Sequence, residues 1–478
     1  MPIKTAATVT FPKAYKFSSN HLKMSLTKEC ESPPRTDSVC LDETQINRLE
    51  TWPRNWRAYR ALLGGFLLMF NSWGLVNTYG TFQSYYLSHL MPTTDPALIS
   101  LIGGTQSFFI LFGSFITGRL LDSGHHRHLG ATGGILSTLG MFMLSITSGQ
   151  GSRGDGKYWA IWLTQGLTVG LGMSCMFVYS SQVVASWFIR RRGLAIGITA
   201  SGASISGLIY PIMFKFLVAR GSFPIAVRYL AILVGCTSFI AFLCAIPNPA
   251  LILRIPDKWL AYEVWFDKSA FHRPPYPWFV AAMCFVFLGF YPIFFNLEDW
   301  AQWKGIGIKE DIANGTGGLH GESGFRTFYF LSIMNACSTV GRVLGAYLSD
   351  HYGALNVHLA ATSLACIFIF IFWPLTTALS HALAFVVLFG IVSGTVIGLP
   401  PACVASLLAE SEQQRLGQWT GMMYSLTAVF SLVGPVIVGQ LVRTFDYLTV
   451  MGWCGTCLGL AAGCTFVARI KAGGMKRR

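Results

Sequence analysis

Residues 335–350 read NACSTVGRVLGAYLSD, at the end of the longer apolar run FYFLSIMNACSTVGRVLGAYL. A run of about 20 apolar residues, wound as a helix, crosses a bilayer. This one carries Arg342, a side chain that does not lose its charge. Arg342 precedes Asp350 by eight residues, so at 1.5 Å per residue it lies about 12 Å in from that end of the helix. In a hydrocarbon layer about 30 Å thick, an unpaired arginine at that depth costs at least about 2.5–3.5 kcal/mol. It must therefore face a polar cavity or a partner. No Asp or Glu is evident within the apolar runs to serve as a structural partner, which leaves backbone carbonyls or a ligand. The reading preferred here is an anchor for a substrate carboxylate or other anion, because the guanidinium fork binds carboxylate through two parallel hydrogen bonds. Asn335, Ser338 and Arg342, spaced i, i+3 and i+7, share one helix face. Gly341 and Gly345 form a G-x-x-x-G stripe that lets a neighbouring helix come close.

The run is one of twelve. Apolar segments begin near Ala61, Leu98, Leu129, Tyr158, Gly193 and Ala226, and again near Pro277, Arg326, Asn356, His381, Leu416 and Tyr447. The 478 residues are 53% hydrophobic and only 12% charged, about half the charge of a soluble protein. The fold class is therefore an all-α membrane protein, with twelve transmembrane helices in two six-helix bundles. Residues 1–55 are polar and read as a disordered tail, 56–246 as the first bundle, 247–276 as a proline-punctuated linker, 277–468 as the second bundle, and 469–478 as a basic tail. No cleavable signal is apparent, so the first span is expected to act as a signal-anchor. Six plus six spans imply related halves around a central site.

The formal charge is +14. The excess sits in loops beside apolar spans, not in a nucleic-acid-binding face. Arg190, Arg191 and Arg192, Arg119 and Arg127, the central linker and the last ten residues all fall on one side if the helices alternate. The positive-inside rule makes that side, and both termini, cytosolic, with the plasma membrane as the expected location. The longest opposite loop carries the sequon Asn314-Gly-Thr, a candidate glycosylation site. The 12 cysteines fall mostly within apolar runs and read as packing residues, the Cys454–Cys457 C-x-x-C included. His125, His126 and His128 read as a solvated loop. No metal or cofactor is expected, and no P-loop is present to support an ATP-driven pump.

Two segments at matching places in the halves are alike: GSFITGRLLDSGHHR and GRVLGAYLSDHYG. In each a small residue, Gly118 or Ala346, lies four before an aspartate, Asp122 or Asp350, and a glycine, Gly124 or Gly353, follows to permit a tight turn. The pair resembles the loop signature of the major facilitator superfamily, the first copy being one residue shorter. SWFIRRRGLAIGITASGASISG, 186–207, resembles the fifth-span signature of its monocarboxylate porter branch through Trp187, Phe188, Arg190, Arg191, Leu194, Ala195, Gly197 and Gly202. NSWGLVNTYGTFQSYY and GMMYSLTAVFSLVGPVIVG resemble the fungal members. The resemblance implies alternating access, with a gate built from Gly118, Asp122, Asp350, Gly353, Arg190 and Arg191 and a bend at Pro435. Lactate porters of that branch carry a first-span lysine and an eighth-span aspartate one turn before the arginine. The corresponding residues here are Asn77 and Ser338, which points away from lactate–proton symport.

Candidate substrate contacts are Arg342, Asn335, Ser338, Asn77, Asn71, Gln182 and Tyr291. Gln83, Gln106 and Gln165 are further polar candidates, each as readily an interhelical hydrogen bond as a substrate contact. Tyr79, Phe82, Tyr179, Tyr210, Phe290 and Tyr424 are candidate aromatic walls or core. Lys215, late in the fifth span, is expected to snorkel outward. The expected function is secondary-active export of a small organic acid or fungal secondary metabolite, with protons as a candidate second partner beside the lipid bilayer. The rival is an uptake permease for a monocarboxylate or a vitamin such as riboflavin. A sensor or a membrane enzyme is disfavoured by the short tails and the lack of a reactive cluster.

Overall fold

The computed structural model describes residues 6–8, 40–42, 55–122, 125–147, 149, 151–188, 192–248, 266–307, 325–408 and 416–475. The chain is helical from Trp56 onward. Six helices precede the linker: α1 (Trp56–Leu90), α2 (Pro96–Asp122), α3 (His126–Thr147), α4 (Tyr158–Ala185), α5 (Arg192–Arg220) and α6 (Phe223–Cys244). Among the described residues six long helices follow it: α7 (Pro275–Trp303), α8 (Tyr329–Tyr352), α9 (Ala354–Phe372), α10 (Leu379–Gly398), α11 (Leu416–Thr444) and α12 (Tyr447–Met475), with a short helix, Pro400–Leu407, between α10 and α11. All but α8 are apolar enough to cross a membrane on hydropathy alone. The polar face that sets α8 apart is the one holding Asn335, Ser338 and Arg342, and all three are buried.

In the tail, Ala6–Thr8 pairs antiparallel with Cys40–Asp42. No regular structure was expected there, since the ladder joins segments more than thirty residues apart and neither strand exceeds three residues. The linker ends in a one-turn helix, Lys268–His272, capped by the Asp267 carboxylate. That carboxylate also accepts from Trp419 Nε1 at 3.1 Å, which ties the linker to α11.

Glycines set how closely the helices pack. A Cβ on Gly341 would stand 1.7 Å from the Ile391 carbonyl of α10, and one on Gly345 would stand 2.7 Å from Thr395. The stripe read in α8 therefore meets α10 within the second bundle. The two glycines of the fifth-span signature serve different contacts. Gly202 abuts the Phe66 carbonyl of α1, inside the first bundle, whereas Gly197 faces Ala346 and the Arg342 carbonyl of α8, across to the second. The aromatic pair of the same signature anchors the α4–α5 turn: Trp187 Nε1 donates to the Ile246 carbonyl at 2.9 Å, and Phe188 is buried.

Two seams join the bundles. Along one, α2 and α11 run antiparallel, with Phe115 at Gly421, Leu432 at Gly104 and Ala97 at Gly439. Along the other, α5 and α8 meet at Gly193 and Asp350, at Gly197 and Ala346, and at Gly207 and Asn335. Twelve alternating helices bring the start of α1 and the end of α12 to one face, called here the terminal face. Both seams are closed from that face to the opposite one.

Candidate functional site

Between the bundles lies a cavity with walls from α1, α4 and α5 on one side and α7, α8, α10 and α11 on the other. Its free space is ≈ 30 Å³, room for water but not for an organic molecule. Arg342 is the charged residue of the lining; around it stand Met69, Trp73, Phe177, Phe287, Ile397 and Tyr424. Arg342 sits where Gly398 leaves space beside its side-chain stem. One guanidinium nitrogen donates to the Ala200 carbonyl of α5, in the other bundle, at 3.2 Å. Its Nε is buried with no hydrogen-bond partner.

The other predicted contacts are placed differently. Asn71 does not line the cavity. It bonds to Ser238 of α6 at 2.9 Å and accepts from Tyr210 and Thr237, a polar knot wholly inside the first bundle. Asn77 donates to the Ala203 carbonyl of α5. Asn335 donates to Leu331 and Gly207, on the α5–α8 seam. Ser338 has its carbonyl against Gly394 of α10. Gln182 is half-buried by Gly118, one residue beyond the lining residue Ser181. Of the three residues that share this helix face, all buried, Arg342 lines the cavity and Asn335 and Ser338 do not, so the face spans both a seam and a wall. Tyr291 stands behind the lining: its ring stacks on the lining residue Trp73 across the bundle boundary, at 5.2 Å and 16°. Gln106 and Gln165 tie α2, α4 and α1 together within the first bundle.

Two residues overturn expectations. Lys215 does not snorkel outward: it is buried in α5 and paired with Glu298 of α7 at 2.6 Å. Glu298 is the buried acid that the sequence reading found no sign of, because α7 continues past its apolar run to Trp303. It serves Lys215 and not Arg342, and its second oxygen has no hydrogen-bond partner. The pair crosses the bundles in the half away from the terminal face. Beside it, Gln83 donates to Asn296 at 3.3 Å, and at the rim Arg443 of α11 bonds Asp95 at the start of α2.

At the terminal face, Gly353 has φ +87° and ends α8, the left-handed turn that its place after Asp350 demanded. Asp350 itself is exposed and lies against Gly193, where a Cβ would approach its carboxylate to 2.9 Å. A Cβ on Gly118 would meet nothing nearer than 3.7 Å. Pro435 sits inside α11 beside Gly434, which touches the Leu288 carbonyl of α7. Arg190, Arg191, Asn314 and the Asp122 side chain lie outside the described residues.

The family model of the Major Facilitator Superfamily matches residues 61–435. Among curated proteins, the chain is 31% identical to the MFS-type transporter hasB of Aspergillus fumigatus, over 87% of this chain and 90% of that one. It is 30% identical to MFS-type transporter 1 of an Ophiocordyceps species, over 87% and 86%. It is 28% identical to the agnestins efflux protein of Paecilomyces divaricatus, over 95% and 97%. Among solved structures, the peptide transporter POT in complex with sulfate superposes with a TM-score of 0.61 over 91% of this chain and 99% of that one; at 14% identity this speaks to the fold alone. The cavity between two six-helix bundles, the motifs at matching places in both halves and the match over most of the chain lead to one conclusion: this chain is a multi-pass membrane protein belonging to the Major Facilitator Superfamily.

Proposed function

We propose that the protein exports an organic anion, a fungal metabolite, by alternating access. The observation that carries this reading is Arg342, a buried cation in the wall of an otherwise apolar cavity, with its Nε unpaired. The Ala200 carbonyl meets one nitrogen of the fork, and an incoming carboxylate or phenolate would satisfy what is left. In the closed form the carbonyl holds the arginine across the seam. Opening that seam frees the arginine, and a bound anion compensates it.

The basic loops favour a cytosolic terminal face in the plasma membrane. Asp350 on Gly193 would form the cytosolic gate. Lys215–Glu298, Gln83–Asn296 and Asp95–Arg443 would form the outer one. A substrate or proton gradient supplies the driving force. Export, and not uptake, is favoured by the relative named for efflux. Deleting the gene and profiling small acids inside and outside the cell tests the direction. Export predicts that at least one acid accumulates inside. Normal internal levels combined with failure to grow on an external nutrient would favour uptake instead.

A further inference from the structure

Part of the cavity wall is made of aromatic rings that pair across the two bundles. Trp73 of α1 stacks on Tyr291 of α7 at 5.2 Å and 16°, and Phe287 of α7 approaches Trp73 at 6.2 Å. Phe177 of α4 meets Tyr424 of α11 edge-on at 5.3 Å. Trp73, Tyr291 and Tyr424 are each at least 96% buried. When the bundles part, each of these rings loses its partner in the other bundle and keeps only contacts within its own, Trp73 with Phe177 and Phe287 with Tyr291 and Tyr424, so the Trp73 and Tyr291 faces that stack on each other are left open. Aromatic faces regain stacking and edge contacts only from another π-system. An aliphatic acid can satisfy Arg342, but it leaves these faces against saturated carbon or water. A flat aromatic acid satisfies both, with its anionic group at Arg342 and its ring plane between Trp73 and Tyr291.

We infer that the substrate class is a planar aromatic anion, a carboxylate or phenolate on a fused or extended ring system, which replaces the Trp73–Tyr291 stack when it binds. This rests on the reading of Arg342 as the anion anchor. It makes Trp73 and Tyr291 specificity-determining residues that recognise ring planarity and not charge.

The test uses the purified full-length protein in detergent and equilibrium dialysis of three probes: 2-naphthoate, its saturated counterpart decahydro-2-naphthoate, and the neutral 2-naphthamide. The expected result is that 2-naphthoate binds about tenfold or more tightly than either of the others. Trp73→Leu should remove most of the preference for naphthoate over the saturated acid, read as the ratio of the two affinities. Tyr291→Leu provides the same readout if the tryptophan variant does not fold. Equal binding of the two acids, both weakened by Arg342→Ala, would overturn the aromatic inference and leave the anion reading standing. Acid binding indifferent to Arg342→Ala would overturn the anion reading itself. Absence of binding by both acids at millimolar concentration would overturn the inference as well.

Discussion

At Arg342 charge and shape make separable contributions. The side chain reaches Ala200 in the other bundle through one nitrogen and leaves Nε free. Lysine would keep the charge but lose the planar fork. Arg342→Lys should therefore cut transport efficiency about tenfold, equivalent to about 1.4 kcal/mol, as initial rates in vesicles would register. Wild-type rates in that variant would mean that charge alone suffices. Lys215 and Glu298 obey a different rule. Removing one partner of a buried ion pair strands the other, at about 3–5 kcal/mol, whereas replacing both with apolar groups is often neutral. Glu298→Gln should lower the apparent melting temperature in detergent, and Lys215→Met combined with Glu298→Met should recover most of the loss. A double variant no more stable than the single one would show that the pair is not a coupled unit. Arg342 was legible in the sequence as a residue in need of a polar partner, because an unpaired arginine inside an apolar run is costly; the Ala200 carbonyl of the other bundle was not. The Lys215–Glu298 pair was not, because its members lie 83 positions apart and Glu298 falls where hydropathy alone ends the span.

Between helices, glycine spacing could be read from the sequence and glycine partners could not. The stripe in α8 announced a close neighbour, but only the packed structure identifies that neighbour as α10. The signature glycines of α5 gave no hint that one serves α1 and the other the opposite bundle. The contact distances rank the consequences of substitution. Gly341→Ala drives a methyl into the Ile391 carbonyl, a backbone atom that moves only with its helix. Overpacking of this kind costs about 1–3 kcal/mol or more. Gly118→Ala meets only side chains at 3.7 Å and should be tolerated. Thermal unfolding of the two variants side by side checks this, and equal destabilisation would contradict it. The polar candidates Asn71 and Asn77 were misread at this scale. An asparagine in a span must find partners, and in these two cases the nearest were neighbouring helices and not a cavity.

Across the whole molecule, the twelve helices and the two halves were legible because hydropathy and the repeated aspartate motif each act over one span or one turn. The state of the transporter was not, because closure depends on long-range contacts. Both seams are shut from face to face, and the cavity between them admits only water. Transport therefore requires α2 and α11 to part at Ala97 and Gly439. A short bis-methanethiosulfonate bridge between Asp95→Cys and Arg443→Cys, whose native side chains bond across this rim, in a background without the native cysteines, should stop transport and release it on reduction. Undiminished transport in the bridged protein would mean that this end of the seam does not open. The most direct measurement of the central claim is uptake of a labelled organic anion into inside-out vesicles carrying either the wild-type protein or Arg342→Ala at matched expression. Uptake by the wild type, with loss of at least about 90% of the initial rate in the variant, is the predicted result. Equal rates would contradict an anion anchored on Arg342.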